Sequence, residues 1–301
     1  MRIVSLLASG TELVCALGAG DQLVGRSHEC DHPAWVTRLP ALSRPTFDIE
    51  GSSAEIDRRV RDKLRAGQPL YQIDEAALEA LAPDVIITQS HCEVCAVSPA
   101  TPGCGAKLAR RQAVALQTGT VAGILQAFLD VAAVLGRPQA GAELVAGAQA
   151  RMARWQDATA ALPRPTVACL EWIAPPFALG NWGPELVRLA GGQPLLGVDG
   201  GHSTAIAWPD VCVADPDVLV VAPCGFALAR TAGEMPVLEA AAGWHELKAV
   251  RSNRVYIADG NFYFNRSGPG VFATIDLLAE ILHPAHFPAQ HAGWAWRRWP
   301  G

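Results

Sequence analysis

Apolar, β-branched runs recur along the chain at intervals too wide for hairpins. The first, Arg2–Leu7, opens the sequence, and Ala113–Leu116, Thr166–Leu170 and Arg254–Ile257 follow. Two more share a prefix: Ala82-Pro83-Asp84-Val85-Ile86-Ile87 and Asp215-Pro216-Asp217-Val218-Leu219-Val220. A strand without polar alternation is buried on both faces, as in a parallel sheet covered by helices. The order of segments also repeats. Leu13-Val14-Cys15-Ala16-Leu17-Gly18-Ala19-Gly20 precedes Gln22-Leu23-Val24-Gly25, and Leu186-Val187-Arg188-Leu189-Ala190-Gly191-Gly192 precedes Pro194-Leu195-Leu196-Gly197. Each reads as a helix closed by glycine and then a short strand.

Strands alternating with helices predict an α/β fold of two Rossmann-like parallel-sheet lobes, at 1–120 and 164–301. The connection, 121–163, reads as two helices, Val121–Leu135 and Gln139–Ala161, broken by Gly136-Arg137-Pro138. The second would be roughly 34 Å long. Lobes joined by a long rigid helix would have a stiff hinge and a ligand cleft between them. Open α/β sheets bind ligands beyond the carboxyl ends of their strands, so the loops there are the candidates for function.

Composition narrows the function classes. Hydrophobic residues make up 50% of 301, enough for a large core, and the net charge is −5. The cations form no basic block, which argues against nucleic acid. No run of about 18 apolar residues occurs, so no span of a membrane is expected. The apolar stretch at the amino terminus ends before Glu12, shorter than an export signal. The chain as given reads as cytoplasmic, or as periplasmic with its leader removed. Of eight Cys, Cys15, Cys169 and Cys212 lie in apolar stretches and read as core.

The strand-end loops carry the chemistry. Ser9-Gly10-Thr11-Glu12 reads as a helix start, either a plain N-cap or a set of N–H groups for an anionic or carbonyl-bearing ligand. Arg26-Ser27-His28-Glu29-Cys30-Asp31-His32-Pro33 and Ser90-His91-Cys92-Glu93-Val94-Cys95 should share one edge of the first lobe, with Cys104 in reach. Three readings stay open for His28, Cys30, Cys92 and Cys95: free thiols shaping the cleft, a disulfide, or a metal or a ligand's metal. Neighbouring parallel strands would bring Cys30 within about 10 Å of Cys92.

Second-lobe loops are aromatic instead. Trp172 and Phe177 follow one strand, and Asn181 and Trp182 start a helix. Trp208 precedes Pro209-Asp210, and Asn261-Phe262-Tyr263-Phe264-Asn265-Arg266 follows another strand. The rings either pack beneath the loops or form walls for a planar ligand, with Asn181, Asn261, Asn265 and Arg266 as polar anchors. Neither a Gly-x-Ser-x-Gly nucleophile turn nor a phosphate-binding Gly-x-x-x-x-Gly-Lys loop occurs, and Glu171 alone makes no acid–base pair. The chain reads as a binder, not an enzyme.

Several stretches together carry a family resemblance: Gly25-Arg26-Ser27-His28-Glu29-Cys30-Asp31, Cys92-Glu93-Val94-Cys95-Ala96-Val97, Pro175-Pro176-Phe177, Trp182-Gly183-Pro184-Glu185-Leu186-Val187, Pro216-Asp217-Val218 and Asp259-Gly260-Asn261. The chain resembles the class III substrate-binding proteins of ABC importers, and among them the cobalamin-binding branch. The resemblance implies a cobalamin or other corrinoid, or a related metal–tetrapyrrole, held edge-on by aromatics, with no cofactor required. Tyr71 stands near the family's first-lobe aromatic and Tyr263 at its second-lobe one. Ser9, Thr11, His28, Cys92 and the second-lobe loop residues would complete the contacts. A permease partner would dock on surface glutamates, with Glu75 and Glu79 near the first-lobe position. The alternatives are a metal or siderophore-type chelate binder using His28, Cys30, Cys92 and Cys95, and a corrinoid- or thiol-modifying enzyme.

Overall fold

The computed structural model describes residues 1–90 and 112–300. The first lobe is built on a four-stranded sheet in the order β2-β1-β5-β6, formed by Leu23–Arg26, Ile3–Ser5, Val85–Gln89 and Gln112–Leu116. Every pairing in it is parallel. All five residues of β5 are buried, as an apolar run covered on both faces requires. Beyond β2, Ser43–Pro45 (β3) and Tyr71–Ile73 (β4) pair antiparallel. The lobe's described α-helices are Ala8–Ala16 (α1), Ser53–Arg65 (α2) and Glu75–Leu81 (α3).

The second lobe keeps the parallel order at its centre, where Val255–Ala258 (β11), Val218–Val221 (β10), Thr166–Trp172 (β7) and Gln193–Leu195 (β9) lie side by side. Its edges differ from the all-parallel expectation. Phe177–Ala178 (β8) and Trp296–Arg298 (β12) add to it antiparallel. The first has only two residues and the second carries two arginines in three, so neither shows as an apolar run.

The repeat in the sequence is a repeat in the structure. Asp84 accepts from Arg2 N at 2.7 Å, and Asp217 accepts from Thr166 N at 2.9 Å. Each Asp thereby ties the start of its lobe's central strand to the strand beside it. The preceding helices end alike, with Ala82 at φ 42° and Asp215 at φ 39°. Gly18 and Gly191 close α1 and its counterpart Gly183–Leu189 (α6) at φ 73° and 84°. A Cβ at Gly191 would also lie 2.7 Å from Thr159 Cβ, so only glycine fits there.

Between the lobes run Val121–Val134 (α4) and the 22-residue Pro138–Thr159 (α5). Thr120 caps α4 by accepting from Gly123 N at 3.0 Å, and proline starts α5. Arg154 and the Trp155 indole both reach Asp276 on Ala273–Leu282 (α10), pinning α5 along the second lobe. One apolar cluster runs from Ile3 and Leu13 through Ile124 and Phe128 to Val167 and Leu278. The lobes thus share a continuous core on the side of α4 and α5. No helix among the described residues is long and apolar enough to cross a membrane.

Candidate functional site

The loops after the strands of both sheets meet between the lobes. The one after β2 is shaped by Arg26, whose guanidinium donates to the carbonyls of Ser27, His28 and Thr37. His28 is half-buried. Its Nδ1 pairs with Ser43 Oγ at 2.8 Å, and its ring lies 5.5 Å from Tyr71. Burial, aided by the charge of Arg26, lowers its pKa to about 4. The imidazole is therefore neutral at pH 7, and its Nε2 lies 3.8 Å from Glu29 Oε1.

Cys30 is placed differently from the metal reading. It is 1% exposed, accepts from Thr11 Oγ1 at 3.0 Å and pairs with Ser27 Oγ at 3.3 Å. Burial raises its pKa, so Cys30 is a thiol hydrogen-bonded inside the lobe. Thr11 is fully buried and turned toward that sulfur, not toward solvent. Ser9 lies inside α1, within 3.5 Å of Ser267 Oγ of the other lobe. The helix begins at Ala8, with Leu7 at the N-cap two residues before Ser9 and no side-chain cap. His91, Cys92, Cys95 and Cys104 lie outside the described residues, and with them the expected approach of Cys30 to Cys92. Among the described residues, no three His, Cys, Asp or Glu converge as a metal site.

Arg266 and Asn261, read as ligand anchors, are instead turned onto the first lobe. Arg266 is 8% exposed and donates to Glu12 Oε1 at 2.8 Å and Asp31 Oδ1 at 2.7 Å. Its other amino group donates to Asn261 Oδ1 at 2.9 Å, and Asn261 donates to Asp31 Oδ2 at 2.9 Å. One guanidinium thus serves two carboxylates across the interface. Burial pushes Glu12 up to about 7, against the lowering effect of Arg266. Burial would also raise Asp31, but bonds from Arg266 and Asn261 outweigh it and hold its carboxyl below the usual range. Thr118 Oγ1 donates to Ser267 Oγ at 2.8 Å, a further bond between the lobes. Asn265 holds its own loop, donating to the Ala222 and Gly260 carbonyls.

The aromatic residues divide in two. Trp182, 5% exposed, donates to the Phe264 carbonyl at 3.1 Å, and Tyr263 is 6% exposed; both belong to the shared core. Trp208 stacks on Trp244 at 6.1 Å, within the core cluster built on Ala168, Leu219 and Val255. Tyr71, Trp172, Phe177 and Phe262 remain half-buried. Phe262 meets His32 edge-on at 4.7 Å. Asn181 is half-buried at φ 52°, its backbone bonded to Gly200 and Gly201.

The family model of periplasmic binding proteins matches residues 3–261. The chain belongs to that family. These are the class III substrate-binding proteins of ABC importers. Solved structures of similar fold include a periplasmic heme-binding protein of Pseudomonas aeruginosa, at TM-score 0.72 and 21% identity over 95% of this chain and 94% of that one. The periplasmic vitamin B12 binding protein of Vibrio cholerae gives 0.67 and 20% over 94% and 97%. A protein of the Fe3+-hydroxamate transport system of Saccharomonospora viridis gives 0.67 and 19% over 93% and 92%. No curated protein sequence matches the chain.

In this binding protein a second clasp joins the lobes at the amino end of α2. Ser53 N donates to Glu234 Oε1 at 2.7 Å, and the Ser53 hydroxyl also bonds that carboxylate. The Trp172 indole donates to the Ser53 carbonyl at 3.2 Å. Arg230 donates to the Ile49 and Gly51 carbonyls while its guanidinium lies 3.9 Å over Phe226. Glu234 and Arg230 lie on Leu228–Glu239 (α8). None of Ser53, Phe226, Arg230 or Glu234 was singled out from the sequence. Only Ser52-Ser53-Ala54-Glu55, a capping box, marked that helix start.

Proposed function

We propose that this binding protein captures a metal–tetrapyrrole of the corrinoid type between its lobes and hands it to an ABC permease. The observation that carries the reading is His28. Its imidazole is neutral at pH 7, half-buried at the carboxyl edge of β2, and oriented through Nδ1 by Ser43. A second partner that fixes one ring nitrogen prepares the other for a metal. Cobalt or iron at the centre of a macrocycle would accept Nε2 as an axial ligand. Half-buried Tyr71, Trp172, Phe177 and Phe262 supply flat apolar surface for the ring.

Structural neighbours that are a vitamin B12 binding protein and a heme-binding protein support this ligand class. The cobalamin branch is the one that the sequence resembles. The proposed role is binding without chemistry.

Titration of the purified protein with aquocobalamin, cyanocobalamin and haemin tests the reading. Aquocobalamin should bind at micromolar concentration or below, with a visible shift as an imidazole displaces the cobalt-bound water. His28→Ala should abolish the shift. Absence of binding by all three in both spectra and calorimetry would refute the proposal. Binding of ferric hydroxamates alone would move it to the chelate class.

A further inference from the structure

The path from α5 into the second lobe runs past a groove of about 850 Å³ at the other end of the sheet from the interlobe loops. Pro165, Asp217 and Arg254 line it, and they immediately precede β7, β10 and β11. The groove therefore lies at the amino ends of the strands. Four cations converge there, Arg164, Lys248, Arg251 and Arg254, against the single carboxylate of Asp217. This concentration is notable in a chain whose net charge is −5.

Structural duties account for part of the cluster. Arg254 donates to the Leu282 carbonyl at 2.8 Å and so closes the end of α10. Lys248 lies 3.6 Å from Asp215, exposed to solvent. One oxygen of the Asp217 carboxylate, Oδ2, accepts from Thr166 through N at 2.9 Å and Oγ1 at 2.8 Å. Arg164 and Arg251 have no such duty. Both are exposed, and neither makes an ion pair or side-chain hydrogen bond among the described residues. Prolines 163, 165 and 284 border the same groove. Their fixed φ angles hold the rim in place before any ligand arrives.

We propose that this groove binds a phosphate-bearing anion through Arg164 and Arg251, with Lys248 adding charge, at a site independent of the interlobe cleft. Guanidinium groups present paired donors that match phosphate oxygens, and two of them with no carboxylate to neutralise them leave that capacity open. The phosphate can belong to a free small molecule or to a lipid headgroup.

Calorimetry of the full chain with pyrophosphate and with ATP, at physiological salt, tests the free form. Co-sedimentation with phosphatidylglycerol vesicles, against phosphatidylcholine vesicles, tests the headgroup. We expect saturable binding in at least one arm. The Arg164→Ala/Arg251→Ala variant should weaken it at least about tenfold while leaving the thermal midpoint unchanged. His28→Ala should leave the anion affinity unchanged, which separates this site from the cleft. Binding in the soluble arm alone assigns a free phosphate, and in the vesicle arm alone a headgroup. No binding in either arm, or equal binding by the double variant, overturns the proposal.

Discussion

Glu12 shows how a single position can couple two lobes. In sequence it is one acid in a helix-start motif, and its partner Arg266 lies 254 residues away. No local pattern reports such a pairing. Arg266, expected among the ligand contacts, bonds Glu12 and Asp31 of the first lobe. Glu12 titrates near 7 in the fold against an ordinary 4.5, so the folded protein holds a proton that the unfolded chain releases. Stability from this group is present at acid pH and is lost as pH rises between about 4.5 and 7. The loss is up to about 3 kcal/mol. Glu12→Gln keeps the acceptor without the charge. Its thermal midpoint should gain on the parent's as pH rises from 5 to 8, and a midpoint that falls further behind the parent's would contradict the assignment. Arg266→Ala removes the cation that Glu12 and Asp31 share and leaves Glu12 protonated at neutral pH, and it should cost about 1–3 kcal/mol in denaturant unfolding. A loss below about 1 kcal/mol would show that the lobes close without it.

Elements were more legible than contacts. The apolar runs located β1, β5, β7, β10 and β11, because burial on both faces removes polar alternation, and a similar run located β6 although only Leu116 of it is buried. β8 and β12 were invisible, having two and three residues and no run to read. Loop aromatics were legible as a set but not one by one. Trp182 sits at the N-cap of α6, where the turn directs its indole into the core. Trp172, at the end of β7, stays at the interface. Trp182→Ala should therefore lower stability by about 3–5 kcal/mol, whereas Trp172→Ala should cost less and weaken corrinoid affinity instead. Chemical denaturation and aquocobalamin titration of the two variants separate these effects. The reverse ranking would exchange their roles.

At the scale of the molecule, the two-lobed plan and its internal repeat were written in the chain. The shared core was not, since it depends on how α4 and α5 fold against both sheets. Because Phe128 of α4 packs against Phe272 of the second lobe at 6.2 Å, a wide hinge motion would have to part buried rings. X-ray scattering with and without bound aquocobalamin should change the radius of gyration by less than about 1 Å, against roughly 19 Å for a chain of this length. A larger change would mean that the core parts on closure.

The clasp between α2 and α8 bears on how long a captured molecule stays. Ser53, Glu234 and Arg230 join the lobes at a point where neither partner belongs to the shared core. Residence time should then depend on how often these bonds open, and a docking permease could shorten it by competing for Glu234. Glu234→Ala should speed aquocobalamin dissociation about tenfold in stopped-flow chase, with a much smaller change in association rate. Unchanged dissociation would place the kinetic barrier elsewhere between the lobes.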